Sequence, residues 1–301
     1  MHPLRIKSIT EAHRLAGMGK PSHPLISLMH FTDYRPESGA APISATFDFY
    51  AVSLKRGCNK LKYGQQRYDF DEGVLAFLGP GQVLSGEDNG SDHSLAGWML
   101  LIHPDLLWNT PLAKKIRHYP FFGYATHEAL FLSDREETLI NNIVAYIEQE
   151  YNSNLDSSSQ EVMVAQLELL FTYATRFYRR QFLTRKIANH EILTRLEGLL
   201  DDYFGSDDPQ RSGLPTVGYL ADGLNMSPKY LSSMLRELTG QTALQHIHER
   251  LVRRAKEDLS TTSQSISEIA YALGFEQPQS FSKFFRQKTK QSPMEFRSSF
   301  N

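Results

Sequence analysis

Toward the C-terminus the apolar positions fall into one pattern that occurs twice, about fifty residues apart. The first copy runs Val217, Leu220, Ala221, Leu224, a short break, then Leu231, Met234, Leu235 and Leu238. The second runs Ile266, Ile269, Ala270, Leu273, a break at Gly274-Phe275, then Phe281, Phe284 and Phe285. The offsets i, i+3, i+4 and i+7 mark one face of a helix. Each copy therefore predicts two short amphipathic helices joined by a tight turn, and the repeat predicts tandem helix-turn-helix units. In the first copy Ser227 is an N-cap, Pro228 sits at the favoured first helical position, and Gly240 closes the helix, giving about Pro228 to Thr239. Between the copies, Leu244, Ile247, Leu251 and Ala255 mark a connecting helix of about Ala243 to Ser260, roughly 25 Å long at 1.5 Å per residue.

Upstream the texture differs. From about Ser44 to His103 it is β. Thr46, Phe47, Phe49, Tyr50, Val52 and Leu54 are β-formers that stop at Lys55-Arg56-Gly57. The turn signals Asp71-Glu72-Gly73 and Gly79-Pro80-Gly81 bracket a short buried strand, Val74 to Leu78, and Gly97 to Ile102 reads as another. Short strands with Gly/Pro turns favour a small sandwich or barrel. From Ser133 onward helices take over: one through Leu139 to Tyr151, one from Gln160 to Arg180 with Leu167, Leu170, Ala174 and Phe177 on one stripe, and one from about Lys186 to Phe204. Residues 205–213 have linker composition. The expected fold class is α+β. A β-rich domain with trailing helices spans 1–204, a linker 205–213, and an all-α tandem helix-turn-helix domain 214–301.

Charge adds one refinement. The chain of 301 residues carries a net −2. From Gly213 to Asn301 there are 11 Lys and Arg against 8 Asp and Glu, while the remainder holds 21 against 26. The C-terminal piece suits a polyanion better than the rest does. The single cysteine, Cys58, excludes an intrachain disulfide and fits a reducing cytoplasm. No stretch approaches the ~18 apolar residues of a membrane span, and His13, Arg14 and Lys20 interrupt any signal-peptide run. A cytoplasmic location without membrane association is the expectation.

With Leu231, Met234, Leu235 and Leu238 facing inward, Lys229, Ser232, Ser233 and Arg236 cluster on the opposite face of the first helix. Adding 50 to each number gives Gln279, Ser282, Lys283 and Arg286 in the second copy. Both faces are polar, mostly short, and carry Lys and Arg. Such side chains bond base edges and phosphates when a helix lies in the major groove. Two helices held by the connecting strut reach successive major grooves, roughly 34 Å apart. Arg250, Arg253, Arg254 and Lys256 add positive charge along the strut. No Gly-rich phosphate loop or catalytic nucleophile motif is present, so no catalytic residue is assigned.

These residues resemble the DNA-binding domain of AraC/XylS-type transcription regulators. The resemblance covers Leu214 to Ser298 and rests on SPKYLSSMLRELTG (Ser227–Gly240), RLVRRAKEDL (Arg250–Leu259), ISEIAYALGF (Ile266–Phe275), SFSKFFRQ (Ser280–Gln287) and SPMEFR (Ser292–Arg297). It implies base-edge roles for Lys229, Ser232, Ser233, Gln279, Ser282 and Lys283, and backbone-positioning roles for Arg236 and Arg286. Lys290 departs from the pattern, which usually has glycine there, so a different helix cap is expected at that point. The N-terminal half resembles the cupin-like sensor domain of many members, through Tyr68–Val83 and Gly97–Leu107. Cupin enzymes hold a metal with an H-x-H motif. The chain's only H-x-H, His246-Ile247-His248, lies on the connecting helix, where i and i+2 diverge. It reads as surface histidine, and His93, His103, His118 and His127 read as structural or solvent-facing. No metal or cofactor is expected.

The expected partners are double-stranded DNA, a small-molecule effector, a second copy of the chain, and RNA polymerase if the protein is an activator; the Gln160–Arg180 stripe suits either the dimer interface or, equally, a helix packed on its own barrel. Tyr50 and Trp98 are candidates to line an effector site, or simply core. Two alternatives stay open: a cupin-type metalloenzyme with an accessory DNA-binding tail, and an effector-independent regulator whose N-terminal half only dimerises. The exposed faces repeat in position but not in identity, so one chain should read an asymmetric DNA target.

Overall fold

The computed structural model describes residues 3–35, 44–56, 73–85, 96–125, 128–153, 156–184 and 186–299. Cys58, His93 and His127 lie outside the described residues, as do the sequence turn at 71–72 and the start of the Tyr68–Val83 run. The chain divides into two compact units, Met1–Gln181 and Phe182–Asn301. The first combines β-sheets with helices, whereas the described elements of the second are all helical, so the fold class is α+β.

The N-terminal unit begins with β1 (Leu4–Ile6), α1 (Ile9–Leu15), β2 (Ile26–His30), β3 (Ser44–Phe47) and β4 (Tyr50–Arg56). It continues with β5 (Val74–Leu78), β6 (Val83–Ser85), β7 (Ala96–Ile102), α2 (Pro111–Lys115), β8 (Leu130–Phe131), α3 (Asp134–Asn152) and α4 (Ser159–Thr184). The strands form two sheets, β1-β3-β6 and β2-β7-β4-β5-β8. The five-stranded sheet is antiparallel throughout. The β-forming run expected through residues 46–54 is broken at Asp48-Phe49, which sends β3 and β4 to different sheets.

The five-stranded sheet is covered on both faces, so β4 is buried along five consecutive residues instead of alternating. One core contains Ile6, Ile9, Phe47, Phe49, Ala51, Leu78 and Leu101. A second, aromatic cluster joins Phe77, Phe121 and Phe122 to Phe171 and Tyr178 of α4, with ring centroids 4.3–6.3 Å apart among the contacting pairs. Each such buried ring contributes about 1.5–3 kcal/mol of apolar transfer. α3 starts with a capping box between Ser133 and Glu136. Glu136 also pairs with Arg180 of α4 at 2.6 Å.

Two open readings are decided here, and the boundary between the units moves. The α4 stripe Leu167, Leu170, Ala174 and Phe177 is buried in the single chain, so of the two readings it is core and not an interface between copies. Tyr50 packs edge-on against Phe122 at 4.9 Å and is likewise core. The helix expected at Lys186–Phe204, here α5 (Lys186–Gly205), groups with the C-terminal unit. The expected linker 205–213 contains a further short helix, α6 (Asp208–Ser212), with Pro209 buried. α5 packs against the elements that follow through buried Leu196, Leu200, Tyr203 and Phe204. The Tyr203 hydroxyl donates to the Gly213 carbonyl at 3.0 Å and Arg195 donates to the Gly223 carbonyl at 3.0 Å.

The C-terminal unit continues with α7 (Val217–Gly223), α8 (Pro228–Thr239), α9 (Ala243–Thr261), α10 (Ile266–Ala272), α11 (Pro278–Thr289) and α12 (Pro293–Ser298). α9 packs against α7 and α8 of the first copy, against α10 of the second, and against α12. Its buried row is Ala243, Ile247, Leu251, Ala255 and Leu259. Leu244, expected in that row, is 48% exposed because strict i+4 spacing from Ala243 turns it outward.

Candidate nucleic-acid interface

In the first copy the Thr216 hydroxyl caps α7, accepting from the Tyr219 N–H at 3.1 Å. The chain turns at Asn225, which adopts φ 55, and the Met226 N–H returns to the Ala221 carbonyl at 2.8 Å. Asn is among the few non-glycine residues that enter the left-handed region readily. The Ser227 hydroxyl then caps α8 by accepting from the Tyr230 N–H at 3.2 Å, with Pro228 in the first turn. Gly240 closes the helix at φ 77. Leu231, Met234 and Leu235 face the core. Tyr230, absent from the sequence expectations, is also buried and packs edge-on against Phe182 at 5.1 Å.

The second copy repeats this with one insertion. Ser265 and Glu268 form a capping box on α10, and the backbone N–H and hydroxyl of Ser265 hold the Glu268 carboxyl below its ordinary range. Gly274 takes the left-handed turn at φ 90, and Phe275 bonds back to the Ala270 carbonyl at 3.0 Å. Ala221 and Ala270 are 49 apart, as are Asn225 and Gly274, whereas Pro228 and Pro278 are 50 apart. The second turn is therefore one residue longer. Its N-cap, Gln277, makes no side-chain capping bond. Gly274 also has no room for a side chain: a Cβ would lie 2.6 Å from the Gly213 carbonyl group and 2.9 Å from the Pro209 oxygen.

The sequence expected Lys290 to alter the cap of α11. Lys290 instead adopts φ 67, ψ 3, nearly the conformation of Gly240 (φ 77, ψ 0), and its N–H bonds to the Arg286 carbonyl as that of Gly240 bonds to Arg236. The cap is retained, with a lysine held in a conformation that favours glycine.

On α8, Lys229 and Arg236 are exposed and Ser232 and Ser233 half-buried. On α11, Gln279, Lys283 and Arg286 are exposed and Ser282 half-buried. The spacing i, i+3, i+4, i+7 puts each quartet on one face. Lys229, Arg236, Lys283 and Arg286 make no ion pair among the described residues. The strut is less available than its composition implied. Arg250 lies 2.6 Å from Asp201 and is mostly buried, and Arg254 pairs with Asp258 at 3.3 Å. Arg253 and Lys256 are exposed, the latter with its ammonium 5.6 Å from the centre of the Phe296 ring. At 19 residues α9 is about 28 Å long.

The two strut histidines are not simple surface residues. The His246 ring lies 2.9 Å from the Thr239 hydroxyl and His248 packs edge-on against Phe284 at 5.2 Å. Burial pushes both rings below their ordinary pKa. His103 lies near the start of a 3₁₀ turn, 3.3 Å from the Asp105 N–H, and His118 contacts the Lys114 carbonyl. Trp98 is buried and donates its indole N–H to Asn141 at 2.8 Å. Among the described residues, no three His, Cys, Asp or Glu side chains stand close enough to share a metal ion, and no helix is long and apolar enough to cross a membrane.

A helix-turn-helix domain family model matches residues 220–299. The chain is similar over most of its length to proteins named HTH-type transcriptional activator RhaS. The one from Enterobacter sp. (strain 638) is 22% identical over 302 residues, covering 90% of this chain and 97% of the relative. The one from Citrobacter koseri is 26% identical over 297 residues, with the same coverage. Among solved structures, the DNA-binding domain of AdpA in complex with a target DNA is 26% identical, covering 37% of this chain and 91% of that one, with a TM-score of 0.30. An AraC-type regulator structure from Chromobacterium violaceum is 23% identical, covering 38% and 96%, with a TM-score of 0.33.

Proposed function

We propose that the chain is a DNA-binding transcription regulator of the AraC/XylS family rather than an enzyme, and that it places α8 and α11 in successive major grooves on one face of an asymmetric operator. Lys229, Ser232, Ser233, Gln279, Ser282 and Lys283 read base edges; Arg236 and Arg286 hold the phosphates. The observation that carries this is the pair of outward-facing quartets, whose cations make no ion pair among the described residues, on α8, which packs on the strut, and on α11, which joins the strut through α10 and α12.

Anisotropy titrations on an operator selected from genomic DNA test the reading. Each good base contact is worth about 1–3 kcal/mol, so Ser233→Ala with Lys283→Ala lowers specific affinity well over tenfold. Arg236→Ala weakens all sequences alike and reduces the salt slope by about 1. Failure to prefer any genomic fragment at moderate salt sinks the proposal.

The N-terminal unit serves as the sensing and dimerising half, in the cytoplasm where the operator is. With the Leu167 stripe buried, the remaining candidate face of α4 is the exposed row Val162, Ala165, Leu169 and Thr172. Its 3-4 spacing suits a paired helix from a second copy. Leu169→Glu should halve the mass in sedimentation if that row is the dimer seam; an unchanged mass removes it. The relatives' activator names favour RNA polymerase as a further partner, and the operator's position relative to its promoter tests that.

A further inference from the structure

The face of the five-stranded sheet turned toward α3 holds a groove of about 330 Å³ that DNA binding leaves unused. His30, Trp98 and Leu54 stand in one row across β2, β7 and β4. Strand alternation puts Leu28 and Arg56 on the same face. α3 crosses this face from β4 to β2. The nearly buried Glu137 carboxylate accepts from Arg56 and from the Gly73 N–H at 3.2 Å. One turn on, Asn141 accepts from Trp98. Near the far end, Glu148 lies 3.7 Å from His30.

The groove therefore has two unlike ends and an apolar middle. At one end the Arg56 guanidinium, 57% exposed, is held by Glu137 through one edge. At the other stands the partly exposed Glu148 carboxylate. Leu28, Leu54, Trp98 and Val144 lie between. We propose that this groove binds a small zwitterion, with its carboxylate at Arg56, its ammonium at Glu148, and its hydrocarbon middle on Trp98 and Val144. A zwitterion leaves the local charge balance unchanged, whereas a lone anion would crowd Glu137 and Glu148 and a lone cation would leave the outward guanidinium edge without an acceptor. A planar five-donor guanidinium can bridge two carboxylates. The row spans two strand spacings, roughly 10 Å, which matches an ω-amino acid of about eight carbons or a short peptide. The proposal rests on the effector-responsive reading only for its effect on DNA.

The test uses the full chain with Trp108→Phe, which removes a 77% exposed tryptophan and leaves Trp98 as the sole reporter. Titration with 8-aminooctanoate should change Trp98 emission saturably. Octanoate and octylamine should bind about tenfold more weakly, the ~1.4 kcal/mol of one lost charge-assisted contact. Glu148→Gln should impose the same loss without changing the melting temperature of the unliganded protein. Equal binding of the half-molecules, indifference to Glu148→Gln, or no saturable change at millimolar ligand overturns the proposal. Operator affinity is measured in parallel: a zwitterion that occupies the groove without altering DNA binding upholds the site and removes the effector role.

Discussion

Replacing Lys290 with glycine should stabilise the protein, although it deletes a side chain and a favourable charge. Lys290 ends α11 at φ 67, and its counterpart Gly240 ends α8 at φ 77. An L-residue in the left-handed region carries about 1–2 kcal/mol of local strain. Glycine removes that strain but gains ~0.4–1 kcal/mol of chain entropy in the unfolded state, and loss of a cation at a helix C-terminus costs ~0.3 kcal/mol or more at an exposed site. The balance for Lys290→Gly is a gain of about 0.5 kcal/mol, or roughly 2 °C for a cooperative unit of this size. Gly240→Lys is the mirror experiment. A Cβ there meets no atom within 4 Å, so its effect is backbone strain alone, and it should destabilise by a similar amount. Urea denaturation followed by circular dichroism measures both. An unchanged or less stable Lys290→Gly protein, together with a neutral Gly240→Lys, would refute the strain argument.

Gly274→Ala should cost about 2–4 kcal/mol, because its Cβ meets backbone atoms of Gly213 and Pro209 at a positive φ; a melting temperature within error of the parent contradicts this. Ser227→Ala should cost about 1 kcal/mol by removing the α8 cap, read by the same denaturation curves. Burial holds His246 and His248 below their ordinary value of 6.5. The unfolded chain thus binds more protons in mild acid, and stability should fall as pH drops below that value. His246→Gln should flatten the fall in melting temperature between about pH 7 and 5, and an unchanged slope would remove His246 as a source.

The helices of the repeat were legible because their signals are local. Ser227, Pro228 and Gly240 bound α8 at the residues observed, and the inward row follows from period alone. β5 needed only its flanking turns. What escaped depends on distant partners. β1 pairs with β3 and β2 with β7, contacts that short apolar runs near the N-terminus do not announce. Periodicity reports that a face is covered, not by what. The Leu167–Phe177 stripe of α4 and the buried face of α5 have the same pattern whether the cover is a second chain or the same unit. Leu244 shows the narrower limit, since two adjacent apolar residues leave the phase of a helix open. Of the site, the outward quartets were readable from sequence, whereas the pairing of Arg250 with Asp201 was not, because Asp201 belongs to a helix assigned elsewhere.

The extra residue between Phe275 and Pro278 limits how α8 and α11 can be exchanged. α7 and α10 align at an offset of 49 residues, α8 and α11 at an offset of 50. Transplanting residues 278–289 onto 228–239 alone would join α11 to the wrong connector. A chimaera intended to carry the outward face of α11 into the first position must bring the longer turn with it. The natural unit of recombination in this chain is turn plus helix.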